Sequence, residues 1–298
     1  MYDFCIIGAG IVGLASAMEI ARQKPNSKIL ILDKEHAVGT HRTGHNSGVI
    51  HAGVYYPPGS LKAGLCKEGA SAVKAYFLQK GIEFEERGKL IVATSSEEVV
   101  RMGKLYANAL RNGLEITLLS AHEPHELEPN ISGEGALLVP ASGIVDYKKI
   151  CKAMATEMAE AGAELVLNCE VIGISERTHE VAIETTRGSY QARQLVCCSG
   201  LQSDRLAKLA GLNIDYKIIP FRGEYYKISD ELSGIVRCLI YPVPDPSMPL
   251  LGIHLTPMID GSLAVGPNSI YVGNAPSPAA TSSIPIGRMI ADKTLNHH

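Results

Sequence analysis

Tryptophan is absent from this 298-residue chain, and phenylalanine occurs only four times. No charge of one sign dominates. The 28 Lys+Arg and 31 Asp+Glu leave a net charge of −3, which excludes a global field that would gather nucleic acid or anionic lipid. No C-x-x-C pair occurs among Cys5, Cys66, Cys151, Cys169, Cys197, Cys198 and Cys238, and most lie in apolar runs. That pattern fits buried free thiols in a reducing compartment, not a disulfide framework or a metal site. Internal repeats are lacking too. A single stretch, Phe4 to Ala21, is apolar over a span-like length. It is interrupted by Gly8, Gly10, Gly13 and Glu19 and follows Asp3 with no basic leader, so it reads as a buried strand and a tightly packed helix, not a signal peptide or membrane span. What is present is ordinary: 46% hydrophobic and 20% charged residues exclude a disordered or fibrous chain, and the length suits two domains.

Residues 2–33 read as βαβ. Asp3 to Ile7 is a short, continuous apolar run, as expected of a strand buried on both faces. A helix follows from Leu14 to Gln23, then a strand from Lys28 to Asp33. Thr40 to Gly64 is polar, Gly/Pro-rich and long for a plain connection, which favours a functional loop. Helices are expected over 67–80, from Ser95-Ser96-Glu97-Glu98 to about Asn112, and over 146–162 with Asp146 as a cap. Strands are expected within 84–94, with Lys89 to Thr94 the clearest, over 164–171, and as a hairpin of 181–186 with 190–198. Residues 123–140 read as loop-rich. Between 214 and 268, proline-broken strands fall at 216–219, 224–228, 236–241, 250–256 and 262–265. A short strand over 269–272 and a helix from Pro276-Ser277-Pro278 to about Thr294 close the chain.

Gly8-Ala9-Gly10-Ile11-Val12-Gly13 is a G-x-G-x-x-G motif directly after a strand and at a helix start. Asp33 follows Gly13 by twenty residues (33 − 13), at the end of the second strand. In this context Gly8 permits the tight turn, Gly10 lets backbone approach a pyrophosphate, and Gly13 lets helix and strand pack closely. The helix N-terminus offers free N–H groups to an anion. Asp33 would accept hydrogen bonds from an adenosine ribose, which favours NAD or FAD over NADP. A plain NAD domain would continue with regular βαβ units. Here the chain runs instead into Thr43-Gly44-His45-Asn46-Ser47-Gly48-Val49-Ile50-His51-Ala52-Gly53-Val54-Tyr55-Tyr56, dense in small residues, hydroxyls and imidazoles, which suits a loop passing close to a flavin.

That run, the opening βαβ and Pro58-Gly59-Ser60-Leu61-Lys62-Ala63 resemble the L-2-hydroxyglutarate dehydrogenases (oxidases) of the D-amino-acid-oxidase-like FAD flavoproteins. Ser142 to Tyr147, Cys198 to Arg205, Pro220 to Tyr225, Tyr241 to Pro246, His254 to Thr256, Gly266-Pro267-Asn268 and Asn274 to Ser282 carry the same resemblance. It implies an α/β plus α+β architecture, with a Rossmann-like FAD domain (glutathione-reductase-like) over 1–75, 141–212 and 270–298, and a mostly antiparallel substrate domain over 76–140 and 213–269. Gly8, Gly10, Gly13 and Asp33 then map to the ADP half of FAD, and Thr43, Ser47 and Gly48 to the pyrophosphate and flavin. Val171 maps near the adenine, Gly200 to a second glycine approach, and Ala275, Pro276, Ser277 and Thr281 to a helix start at the flavin N1/O2 edge.

The implied reaction is hydride transfer from Cα of an L-2-hydroxy acid to flavin N5, with L-2-hydroxyglutarate as substrate and 2-oxoglutarate as product. A neutral imidazole suits removal of the hydroxyl proton. His51 is favoured, with His45 and His254 as the other candidates. Arg222 fits a substrate carboxylate bidentately, with Tyr225 as hydrogen-bond donor; an ion pair of Arg222 with Glu224 is the competing reading. Quinone or oxygen is the implied electron acceptor, in a cytoplasmic protein in peripheral contact with the inner membrane. No metal and no nucleic acid enter the scheme. An amino-acid or amine oxidase of the same superfamily and an inactive flavin-binding remnant stay as alternatives. The remnant reading arises because Asn268 is followed at once by Ser269-Ile270-Tyr271-Val272-Gly273-Asn274, where the family has a stretch the size of a small domain. An internal deletion there is expected to leave exposed sheet edges and an incomplete substrate domain.

Overall fold

Ile29–Leu32 and Tyr2–Ile7 are apolar because both faces of their sheet are covered, and the second of them leads straight into a glycine turn. A computed structural model describes residues 1–220, 222–247, 252–271, 281 and 283–296. In chain order the elements are β1 Tyr2–Ile7, α1 Ile11–Gln23, β2 Ile29–Leu32, β3 Val49–Ile50, α2 Leu61–Lys80, β4 Phe84–Glu85, β5 Lys89–Ala93 and α3 Ser96–Arg111. Then come β6 Thr117–Leu119, α4 Glu123–Leu127, β7 Gly135–Val139, β8 Gly143–Val145, α5 Tyr147–Glu160, β9 Glu164–Val166, β10 Val171–Glu176, β11 Val181–Thr185 and β12 Gly188–Cys197. The last are α6 Ser203–Leu209, β13 Arg222–Lys227, β14 Leu239–Pro242, β15 His254–Pro257, β16 Leu263–Tyr271 and α7 Ser283–Leu295.

The chain divides into two units. Unit 1 comprises residues 1–46, 147–220 and 273–298. Its six-stranded sheet has the order β10-β11-β12-β1-β2-β9, with β12, β1, β2 and β9 mutually parallel and β10, β11 and β12 antiparallel. α1 and α7 pack so closely that a Cβ on Gly287 would lie 2.6 Å from the Ala15 backbone carbon. Unit 2 comprises residues 47–146 and 221–272. It holds a seven-stranded sheet, β13-β16-β15-β14-β5-β7-β6, antiparallel except at the β14/β5 pair, and a small antiparallel sheet β3-β8-β4.

The larger sheet of unit 2 has two apolar faces, because strand residues alternate. Ile91, Ala93, Leu239, Tyr241 and Val243 pack with Val49, Ala52 and Val54 on one side. Leu90, Val92, Ile240 and Leu263 pack on the other. α2 starts six residues before the expected 67, where the Ser60 hydroxyl accepts the Ala63 N–H and caps it. α3 is capped likewise by Ser95, which accepts the Glu98 N–H, while Glu98 accepts from Thr94 N–H at 2.6 Å.

Several expectations are corrected. The first domain boundary falls after Asn46, not near residue 75, because α2 belongs to unit 2. Residues 216–219 form no strand: Asp204 takes the Ile218 N–H at 3.0 Å, and Tyr216 and Ile219 are exposed. Residues 123–140 are not merely loop, since β7 pairs between β5 and β6. The segments expected as separate strands over 262–265 and 269–272 are one strand, β16, which crosses Asn268–Ser269 and pairs with β13 on both sides of a register shift. β13 is the edge of its sheet, and Tyr226 on it is 66% exposed. Cys197 is exposed although Cys5, Cys66, Cys151 and Cys169 are buried, because it lies on an outward position at the end of β12.

Candidate active site

Unit 1 carries a cradle built from glycine geometry. Gly8 sits at φ +109°, where a side chain is strained, and a Cβ there would come 2.5 Å from the Cys198 carbonyl oxygen. A Cβ on Gly13 would lie 1.9 Å from the Gly8 carbonyl oxygen, so α1 can rest on the turn only as glycine. Gly10 differs: a Cβ there meets only Thr43 Oγ1, at 3.4 Å. Its outer side is open to a ligand. The Ile11 N–H donates to Thr43 Oγ1 at 3.2 Å, and no acidic residue stands in the first turn of α1. Asp33 accepts from Ala9 N–H at 2.7 Å through one oxygen and from Glu35 N–H at 2.9 Å through the other. A carboxylate has about four acceptor positions, so two remain for a ribose diol. These residues fit the ADP half of a dinucleotide.

The other predicted positions of unit 1 are dispersed along its framework. Val171 opens β10, and Gly200 adopts φ +55° at the turn before α6. Thr281 is buried, with its hydroxyl 3.0 Å from the Tyr147 hydroxyl. His45 is exposed, with Nδ1 3.0 Å from the His41 carbonyl. Ala275, Pro276 and Ser277 lie outside the described residues.

Unit 2 gathers a different set. Gly48, at φ +65°, is locked beside β8: its carbonyl accepts the Val145 N–H at 2.9 Å, and a Cβ would lie 2.6 Å from the Val145 oxygen. Ser47 precedes it. This fixes β3 and delivers His51 at its end, where the His51 carbonyl accepts from the Cys66 thiol at 3.3 Å. Burial pushes that thiol up to about 12. His51 as a whole residue is half-buried, and its ring lies deep in the unit. Burial, followed by the nearby Lys89 and His254, holds its pKa well below the usual imidazole value. It is neutral at physiological pH and able to accept a proton.

His254, on β15, is fixed on three sides. Its ring stacks on Tyr241 and meets Tyr225 edge-on. Nδ1 donates to the Gly252 carbonyl at 3.0 Å, which sets the tautomer because a carbonyl only accepts. Nε2 is therefore an acceptor, and the Tyr225 hydroxyl lies 3.5 Å from it. Burial lowers this imidazole to about 4. With both nitrogens engaged, His254 is better placed to orient Tyr225 than to collect a proton. Arg222 stands on the edge strand β13, opposite Tyr271 in register.

Lys89 was not singled out from the sequence. It opens β5 and shares the inward face with Ile91 and Ala93, so it is only 2% exposed. Its ammonium lies 4.1 Å from the Tyr241 ring centroid and 5.5 Å from that of Tyr55. No carboxylate pairs with it among the described residues. Burial pulls it down from the ordinary lysine value to about 7. Cation–π contacts return about 0.5–2 kcal/mol, against several kcal/mol for desolvating an ammonium. The Tyr55 hydroxyl is also buried without a hydrogen-bond partner among the described residues. The usable signal was strand parity: a lysine in phase with Ile91 and Ala93 in a strand covered on both faces.

An open dinucleotide cradle in one unit, and neutral imidazoles with tyrosines beside an antiparallel sheet in the other, define a flavin-type oxidoreductase. Residues 3–292 match the sequence profile of the FAD dependent oxidoreductase (DAO) family, and the chain belongs to that family. It is 51% identical over 271 residues to L-2-hydroxyglutarate dehydrogenase of Escherichia coli K12, covering 91% of this chain and 64% of that protein. It is 43% identical to the L-2-hydroxyglutarate dehydrogenase of Indibacter alkaliphilus, covering 90% of this chain and 68% of that one. Against the human mitochondrial L-2-hydroxyglutarate dehydrogenase the identity is 41%, with 90% and 61% covered. The chain thus spans roughly two thirds or less of the length of these curated relatives. The fold superposes on L-α-glycerophosphate oxidase of Mycoplasma pneumoniae, a structure with FAD bound, with a TM-score of 0.90 at 22% identity over 100% of this chain and 95% of that one. Glycine oxidase of Geobacillus kaustophilus gives 0.79 at 23% identity, covering 92% and 73%. No helix among the described residues is long and apolar enough to cross a membrane.

Proposed function

We propose that this protein oxidises L-2-hydroxyglutarate to 2-oxoglutarate with FAD. The observation that carries this reading is the 51% identity to an L-2-hydroxyglutarate dehydrogenase over 91% of the chain. When bound, FAD supplies the hydride acceptor. Gly8, Gly10, Gly13, Asp33 and Thr43 would hold its ADP half, aided by the open N-terminus of α1. Val171, Gly200 and Thr281, with Ala275, Pro276 and Ser277, complete the set in unit 1; Ser47 and Gly48 do so in unit 2.

Oxidation of a CH–OH group releases a proton as well as a hydride. His51, kept neutral by burial, takes the hydroxyl proton. The Tyr225 hydroxyl, which faces the acceptor Nε2 of His254 in the free protein, turns its single proton to the substrate, and Arg222 binds a carboxylate. Quinone or oxygen accepts the electrons afterwards, with the protein in the cytoplasm and in peripheral contact with the inner membrane. The experiment is anaerobic mixing of the flavin-loaded protein with a panel of L-2-hydroxy acids and amino acids. Bleaching of the flavin by L-2-hydroxyglutarate supports the reading. Bleaching by amino acids alone, or by nothing in the panel, sinks it in favour of an amino-acid oxidase or a flavin-binding remnant.

A further inference from the structure

We propose that Lys89 is a substrate-binding residue, the buried ammonium that receives a carboxylate of the hydroxy acid. This rests on the reading of the protein as a hydroxy-acid oxidoreductase.

Four observations converge on it. The side chain is 2% exposed and has no carboxylate partner among the described residues. The groups facing it are His51 after β3, Tyr55 in the following loop, Cys66 on α2, Tyr241 on β14 and His254 on β15. None of these is an acid. The Tyr55 hydroxyl, whose ring lies beside the ammonium, is buried without a hydrogen-bond partner among the described residues. His51, the proposed base, feels the Lys89 charge directly.

A buried ammonium facing only imidazoles, phenols and a thiol is a poor structural element. Contacts with two aromatic rings recover only part of its lost hydration. A methionine of similar length would pack there at lower cost, so the charge has to be explained by what it receives. An arriving carboxylate supplies the missing counter-ion. It also restores the proton: free Lys89 titrates at about 7, and an anion beside it favours the charged form. Substrate binding should therefore draw a proton from solvent at mildly alkaline pH. The step is simple: neutral Lys89, one proton from buffer and one carboxylate give an ammonium–carboxylate pair.

The test uses the flavin-loaded full chain and glutarate, an unreactive dicarboxylate, by titration calorimetry at about pH 8 in two buffers of different ionisation enthalpy. Native protein is expected to bind glutarate with uptake of up to one proton. Lys89→Met should weaken binding by about 30-fold or more and abolish the uptake, since a buried charge-assisted pair is lost. Lys89→Arg should retain more affinity than Lys89→Met but take up no proton, because a guanidinium is always charged. Thermal melting shows whether each variant is folded. Equal glutarate affinity and equal proton uptake in native protein and Lys89→Met would overturn the proposal, as would no binding of glutarate by native protein. The two readings fail separately. If amino acids alone bleach the flavin while Lys89→Met loses carboxylate affinity, the hydroxy-acid reading fails and Lys89 stands. If L-2-hydroxyglutarate bleaches the flavin with an unchanged KM in Lys89→Met, Lys89 falls and the hydroxy-acid reading stands. A monocarboxylate, L-2-hydroxybutyrate, locates the contact: loss for both ligands places Lys89 at the carboxylate next to the reacting carbon, and loss for glutarate alone places it at the distal one.

Discussion

The imidazole of His254 stacks on the ring of Tyr241, centroids 4.1 Å apart and 18° between planes. The Lys89 ammonium lies over the same tyrosine ring, 4.1 Å from its centroid. Tyr241 is thus the pivot of the polar cluster in unit 2. His254→Phe would keep the stack but remove the Nδ1–H donated to Gly252 and the acceptor facing Tyr225. We expect a loss of no more than about 0.5–1 kcal/mol of stability, read as a lower urea midpoint, because the two groups that lose their partner belong to the exposed residues Gly252 and Tyr225, where water can replace it. We also expect a raised KM for the substrate, with the flavin still bound.

Gly10→Ala and Gly13→Ala should separate folding from cofactor binding. At Gly13 a methyl would meet backbone at 1.9 Å, so the variant should lose about 2 kcal/mol or more and fail to hold flavin. At Gly10 it would meet only Thr43 Oγ1 at 3.4 Å, so stability should change by no more than about 0.5 kcal/mol. The flavin content of purified Gly10→Ala protein should nevertheless fall, since in the proposed FAD site the open side would receive the pyrophosphate. Chemical unfolding and flavin absorbance measure the two effects independently.

Stability should depend on pH in two separate windows. His254 and His51 have folded-state pKa values below their unfolded ones, about 4 for His254. Between those values the unfolded chain binds more protons, so stability rises with pH through this range and is lost as pH falls below about 6.5. Lys89, held at about 7, acts in the same sense higher up. Between its folded value and the ordinary lysine value the unfolded chain again holds the extra proton. Stability should then rise by up to about 1.4 kcal/mol per pH unit above neutrality. Urea unfolding from about pH 7 to 9 should show this rise in native protein and not in Lys89→Met.

Much of the framework was legible because it depends on local rules. β1 and β2 announce themselves as short apolar runs, and the glycines at 8, 10 and 13 sit at fixed offsets from them. His51 was legible as a candidate because imidazole chemistry limits the choices. Lys89 was not, since a charged residue at the mouth of a strand reads as an exposed flank. Pairing of β5 with β14 on one side and β7 on the other, Leu239 and Val139 opposite Lys89, encloses it. The run 216–219 looked like a strand because its residues suit one, but Asp204 had already claimed the Ile218 N–H. β16 looked like two strands because Pro267 and Asn268 interrupt its pattern. The register shift against β13 absorbs that interruption.

In the proposed reaction His51, kept neutral by burial, removes the hydroxyl proton of L-2-hydroxyglutarate as the flavin is reduced. Rapid anaerobic mixing of flavin-loaded native protein and His51→Gln with L-2-hydroxyglutarate tests it most directly. Full flavin bleaching is expected in native protein and a rate lower by about 10²–10⁴-fold in His51→Gln, with flavin content unchanged. Equal bleaching rates in the two proteins would contradict it.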